Sequence, residues 1–156
     1  MTVLSFNDLP TPGTNNNWWI LDGYGGLNWS NFAYLNGITA DIPSGYQNSI
    51  ISPVNVAFNA WGGAASVSSD TVFSFNSAYF TAAWRDGLNI LAEGYLDKNI
   101  IYSLDFIANT SGPILQVFNW SGVNKINFTT SNGIHHEGYG HNYAIFVMDE
   151  FNFEKG

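Results

Sequence analysis

Residues 73–106, FSFNSAYFTAAWRDGLNILAEGYLDKNIIYSLDF, decide the fold. Ala78, Phe80, Ala82 and Trp84 alternate with Tyr79, Thr81 and Ala83, the period that sends successive side chains to opposite faces of a strand. Asp86-Gly87 marks a turn, because glycine supplies positive φ without steric cost and aspartate bonds nearby backbone. Leu88, Ile90 and Ala92 resume the period, Tyr95 to Asn99 turns the chain again, and Ile100, Tyr102, Leu104 and Phe106 line one face of the next strand. Turns this close together exclude a helix bundle. The stretch predicts a three-stranded antiparallel meander at the centre of a β-sandwich.

Working outward, the chain predicts some eight to ten short strands. Thr2 to Phe6 reads as a first strand and Asn31 to Leu35 as another, ahead of an Asn36-Gly37 turn. Asp41 to Asn48 reads as an irregular or 3-10 excursion. Short strands are predicted at 49–52, 54–60 and 65–68, with Pro53 and Gly62-Gly63 as breaks. After the meander, strands are expected at 114–119, 125–130 and 143–149, with 131–142 as a polar loop and 151–156 as a tail. The fold class is therefore all-β, one domain over 1–156, built as a two-sheet antiparallel sandwich of jelly-roll type.

Composition narrows the function. The 156 residues are 46% hydrophobic and 17% aromatic but only 10% charged, with a net charge of −8. Arg85, Lys98, Lys125 and Lys155 are the only basic side chains besides the histidines. A nucleic-acid binder needs a cationic face to displace counterions, so that class is excluded, and anionic membrane surfaces are disfavoured likewise. No apolar run approaches the roughly 18 residues of a membrane helix. Cysteine is absent. Asn-, Ser-, Gly- and aromatic-rich composition with little Lys or Glu points to a secreted or cell-surface protein.

Five segments carry a resemblance: 24–32 (YGGLNWSNF), 55–60 (NVAFNA), 73–88 (FSFNSAYFTAAWRDGL), 93–95 (EGY) and 118–123 (FNWSGV). Together they resemble the small secreted β-sandwich domain of bacterial surface-sorted (PEP-CTERM type) and fungal extracellular proteins, whose architecture is similar to jelly-roll carbohydrate-binding modules. The resemblance implies a structural Ca²⁺ near the first and last strands. Asn7-Asp8 is similar to the opening acidic pair and Phe146–Asp149 to the closing pattern, which makes Asn7, Asp8 and Asp149 the expected ligands. The sequence departs from the pattern at Asn7, where a second acid is expected, and at Glu150, where asparagine is expected.

Two further groups draw attention. His135-His136-Glu137-Gly138-Tyr139-Gly140-His141 has metal-binding side chains, but the glycines and the residue order do not fit a helical His-Glu-x-x-His site. No Gly-x-Ser-x-Gly elbow is present, and although Glu93, Glu137, Asp86 and Asp105 are available, sequence spacing says nothing about their pairing across a cleft, so a hydrolase ranks third, behind two non-catalytic readings. Arg85 is expected to brace its turn. Trp84 and Trp120 are expected in the core.

Trp18, Trp19, Tyr24, Trp29 and Trp61 instead sit in or beside Gly- and Asn-rich loops. Exposed indoles and phenols suit half-wet sites and pack on the apolar face of a sugar ring. On a strand, Trp18-Trp19 would send one ring each way. These five aromatics, with Asp22 and Asn28 bonding hydroxyls, are the expected binding residues for a neutral glycan. A structural or self-assembling surface protein is the alternative, with exposed aromatics and edge strands serving protein contacts.

Overall fold

Two strands of 18 residues organise the molecule, because each runs from one layer of the sandwich into the other. A computed structural model describes residues 1–13 and 18–156. Its strands are β1 (Thr2–Leu4), β2 (Asn28–Ser30), β3 (Phe32–Asn36), β4 (Asn55–Asn59), β5 (Ala65–Ala82), β6 (Arg85–Asp86), β7 (Leu88–Leu96), β8 (Asn99–Ala108), β9 (Ile114–Ser131), β10 (Ile134–His135) and β11 (Phe146–Lys155). The described helical structure is confined to 3-10 turns at Tyr24–Gly26, Gly45–Asn48 and Ala60–Gly62.

β5 and β9 pair along their length, with register breaks between Ser68 and Ser77. Asn119 and Gly122, at φ of 52° and 70°, supply the left-handed residues that bend β9. One layer consists of β2, the first part of β5, the second part of β9, then β7 and β8. The other consists of β3, β4, β11, the second part of β5 and the first part of β9, with β1 added to β11. All these pairings are antiparallel, and the architecture is the jelly-roll sandwich expected.

The layers meet through aromatic rings. Phe128 of one layer lies 5.4–6.3 Å, centroid to centroid, from Phe32, Phe75, Phe80 and Phe146 of the other. Burying each such ring contributes about 1.5–3 kcal/mol. Trp120 is buried as expected, stacked on Tyr102 at 5.3 Å.

The meander is corrected in one respect. β7 and β8 form the expected hairpin, closed by Asp97-Lys98 at positive φ. β5, however, does not pair with β7, because β9 lies between them. The segments read as separate strands around 65–82 and 114–130 are single bent strands, and the expected tail belongs to β11.

The layer of β3, β4 and β11 is apolar on both faces. Phe32, Tyr34, Ala57, Phe146 and Met148 enter the main core, whereas Leu35, Val56 and Val147 point outward into a second cluster with Tyr46, Ala83, Trp84 and Ile145. The 3-10 turn at Gly45–Asn48 seats Tyr46 over this outer face. Its start is fixed by a Ser44/Gln47 capping box, and Gly45 fits where a Cβ would collide with the Ala82 carbonyl.

Candidate functional site

The outer face of that layer becomes a groove of about 510 Å³, within the range of ligand sites. Its base is Ala33 and Leu35 of β3, Phe58 of β4, and Ile145. The side chains above them come from four separate segments: Trp18 and Trp19; Asp41 and Tyr46; Trp61; and His141 and Tyr143, with Trp84 beneath.

Backbone pairing places the first pair. The Tyr34 amide donates to the Trp18 carbonyl at 2.9 Å and the Ile20 amide to the Phe32 carbonyl at 3.0 Å, so residues 18–20 lie alongside β3. Trp18 and Trp19 are 52% and 48% exposed and both line the groove, although their neighbouring positions predicted opposite directions.

Trp61 is placed by hydrogen bonds to its turn. Asn59, fully buried, donates from Nδ2 to the Gly63 and Ala144 carbonyls and accepts from the Phe146 amide at 2.8 Å. Asn31 Nδ2 donates to the Ala60 and Ala64 carbonyls, and Thr130 Oγ1 to those of Gly62 and Ala144. A Cβ on Gly62 would sit 2.9 Å from the Ala144 nitrogen, so glycine lets this turn approach the segment carrying Tyr143. Trp61 itself takes φ 59° and is 73% exposed.

Trp84 is buried, as expected, and its ring meets those of Tyr46 and His141 edge-on at 5.8 and 5.0 Å. Its Nε1–H is sealed from solvent without a hydrogen bond of regular geometry. Burial, reinforced by the Asp41 carboxylate, holds the Tyr46 phenol far above its usual range, and the Trp84 indole offsets this in part.

The other expected binding residues lie elsewhere. Trp29 is buried, because the Asn28-Trp29-Ser30 strand alternates polar-apolar-polar and turns the indole inward. Its Nε1–H donates to the Tyr24 carbonyl at 2.9 Å, and its amide donates to Asp22 Oδ1. Tyr24 packs on Phe6 and Trp29, and its hydroxyl donates to Asp8 at 2.7 Å. Burial first, and that carboxylate second, raise the Tyr24 phenol above its ordinary range. Asn28 is exposed beside β5. Asp22, Tyr24 and Trp29 thus form a structural corner, and neither they nor Asn28 line the groove.

Asn7, Asp8 and Asp149 also have structural partners. Asp149 is 1% exposed, and its carboxylate accepts from the Ile51, Ser52 and Glu150 amides and the Ser52 hydroxyl. Burial nonetheless leaves its carboxyl above the ordinary value, with those donors pulling it down. Asn7 Oδ1 accepts from the Asn55 amide, and its Nδ2 donates to the Ser52 carbonyl. Oxygens aimed at N–H donors have the wrong surroundings for a cation, which needs six to eight oxygens turned toward it. Asn7 and Asp149 in this arrangement do not fit Ca²⁺; they clamp residues 51–55 between the two ends of the chain, and Asp8 is held apart by the Tyr24 hydroxyl.

The histidine loop divides its work. No group of three potential metal-ligating His, Cys, Asp or Glu side chains occurs among the described residues. His136 Nδ1 lies 2.6 Å from Asp86 Oδ2, Thr110 donates to the other oxygen from both its amide and its hydroxyl, and His135 and Arg85–Asp86 join in the β6–β10 pairing. Arg85 braces this region as expected, donating to the Asn142 and Asn132 carbonyls. His141 is the histidine that reaches the groove.

No family model and no curated protein matches the chain. Among solved structures, a DUF4465 family protein from Bacteroides ovatus ATCC 8483 is similar over 99% of this chain and 94% of its own, at 10% identity and a TM-score of 0.58. TmCBM61, solved with β-1,4-galactotriose, aligns over 90% of this chain and 99% of its own at 9% identity, with a TM-score of 0.44. A CBM4 structure aligns over 97% of each chain at 10% identity, with a TM-score of 0.39. The first likeness bears on the fold alone, which the two proteins share over nearly the whole of this chain.

Proposed function

We propose that the protein is a non-catalytic carbohydrate-binding module of the secreted or cell-surface kind, and that it holds a glycan in the aromatic groove. One observation carries this reading: Trp18, Trp19, Trp61 and Tyr143 all keep a third or more of their surface in water while lining one apolar groove. A folding core would bury such rings. Rings left in water within one groove are instead available to the C–H face of a pyranose, while its hydroxyls stay hydrated at the rim. The acidic chain disfavours uronate or sulfated glycans.

A glycan array followed by tryptophan-fluorescence titration tests the reading. Binding that Trp19→Ala and Trp61→Ala each weaken supports it. Absence of binding across the array, or binding that neither change affects, removes it.

A second reading, self-assembly, is favoured by a separate observation. β8 is an end strand of the sheet, and Ile100, Ile101 and Ile107 on it, with Ile114, Leu115 and Val117 on β9, are exposed. Apolar sheet edges of this kind can pair between copies. Light scattering on the purified protein tests this: a concentration-independent monomer mass removes it.

A further inference from the structure

The groove combines aromatic faces with a single kind of fixed charge. Asp41 is the one carboxylate lining it among the described residues, and no hydrogen bond or ion pair occupies that carboxylate within the described structure. None of the four lysine and arginine residues lines the groove. Arg85 is committed to the Asn142 and Asn132 carbonyls, Lys155 donates to Ser69, and Lys98 and Lys125 flank a different, shallow pocket beside Tyr95. Asp41 is also near enough to Tyr46 for its charge to act on that phenol inside the groove.

A cation entering this space meets tryptophan rings, the best side chains for cation–π attraction, and an uncompensated carboxylate. It displaces no protein cation, and the net charge of −8 draws it in from solution. A neutral sugar gains only the stacking. We propose that the groove selects amino sugars bearing a free ammonium group over neutral sugars of the same length, with Asp41 as the charge-reading residue. This rests on the carbohydrate reading above.

The test compares glucosamine oligomers with N-acetylglucosamine oligomers of equal length by titration calorimetry at mildly acidic pH, where the oligomer amines carry a proton, at low and high salt. The expected result is roughly tenfold tighter binding of the glucosamine oligomer, with an advantage that shrinks as salt rises. Asp41→Asn is expected to abolish the advantage, read as the ratio of the two affinities measured on the same variant, and Trp61→Ala to weaken both. Asp70→Asn, an exposed carboxylate change on β5, serves as the control for net charge and is expected to leave the preference intact. Equal affinity for the two oligomers, or a preference that survives Asp41→Asn, overturns the charge inference and leaves the carbohydrate reading standing. An equal loss of preference in Asp70→Asn also overturns it, since bulk charge would then suffice. Failure of both oligomers and of neutral glycans to bind overturns both.

Discussion

Trp61 and Tyr143 meet edge to face with their ring centroids 5.8 Å apart, though 82 positions separate them in the chain. Trp61 holds this position from a left-handed backbone, at φ 59°. A bulky residue there costs of order 1–3 kcal/mol, which an indole left 73% in water does not recover through burial. The strain therefore serves the placement of the ring. Trp61→Ala is expected to weaken glycan binding roughly tenfold or more while shifting the melting midpoint by no more than a few degrees. Calorimetric titration beside a thermal melt checks both, and a large fall in the midpoint would reassign Trp61 to the scaffold.

The turn beneath that ring should respond in the opposite sense. Asn59 is fully buried and makes three hydrogen bonds to backbone groups of two segments. Asn59→Ala would strand the Phe146 amide and the Gly63 carbonyl, while the Ala144 carbonyl keeps the Thr130 hydroxyl. A destabilisation of about 2–3 kcal/mol is expected, measured by urea unfolding, with glycan affinity falling alongside because the Trp61 turn loses its anchor. Unchanged stability would show that water replaces the amide.

The sandwich was legible because its signal is local. Ala78–Trp84 and Leu88–Ala92 state their alternation in a few residues, and Asp97-Lys98 closes β7 on β8 within the same stretch. Trp18, Trp19 and Trp61 were legible as exposed rings because their sequence neighbours are turn formers. Trp29 misled for the same reason: its setting is loop-like, yet Asn28 and Ser30 flank it as the outward positions of a strand. The groove as a whole was not legible. Its base depends on β3, β4 and β11 being neighbours, a sheet order that no single stretch encodes. One signal was present nonetheless. Phe32–Leu35, Val56–Phe58 and Ile145–Met148 are apolar without interruption, as strands covered on both faces are.

Asp86 gives the fold an acid-sensitive contact. Partial burial alone would raise its carboxyl, but the Thr110 amide, His136 and the Thr110 hydroxyl outweigh that and hold it below the usual 3.8. A depressed folded value means that the stabilisation is present above the unfolded value and is lost as pH falls through the folded one. The difference in unfolding free energy between the wild type and Asp86→Asn is therefore expected to shrink as pH falls below 3.8. Urea titrations across that range check it, and a difference that stays constant down to the lowest pH would show that Asp86 does not carry the effect.

Asp149 decides how the chain ends are held. Its carboxylate is buried and receives donors from Ile51, Ser52 and Glu150, while Asn7 grips the same segment through Ser52 and Asn55. Every one of these bonds directs a hydrogen at an oxygen that a cation would need. If the clamp works in this form, the melting midpoint should be the same with a chelator, in plain buffer and with added Ca²⁺. Asp149→Ala should then cost about 2–4 kcal/mol, because it leaves the Ile51 and Ser52 amides without partners. Asp149→Asn is expected to recover part of that loss, since one amide oxygen still accepts. A midpoint that rises with Ca²⁺ and falls back with chelator would mean that the donors rotate away and that the carboxylate holds metal. The partial rescue by asparagine separates the two cases, because an amide can still serve the 51–52 backbone but is a poor replacement for a charged calcium ligand.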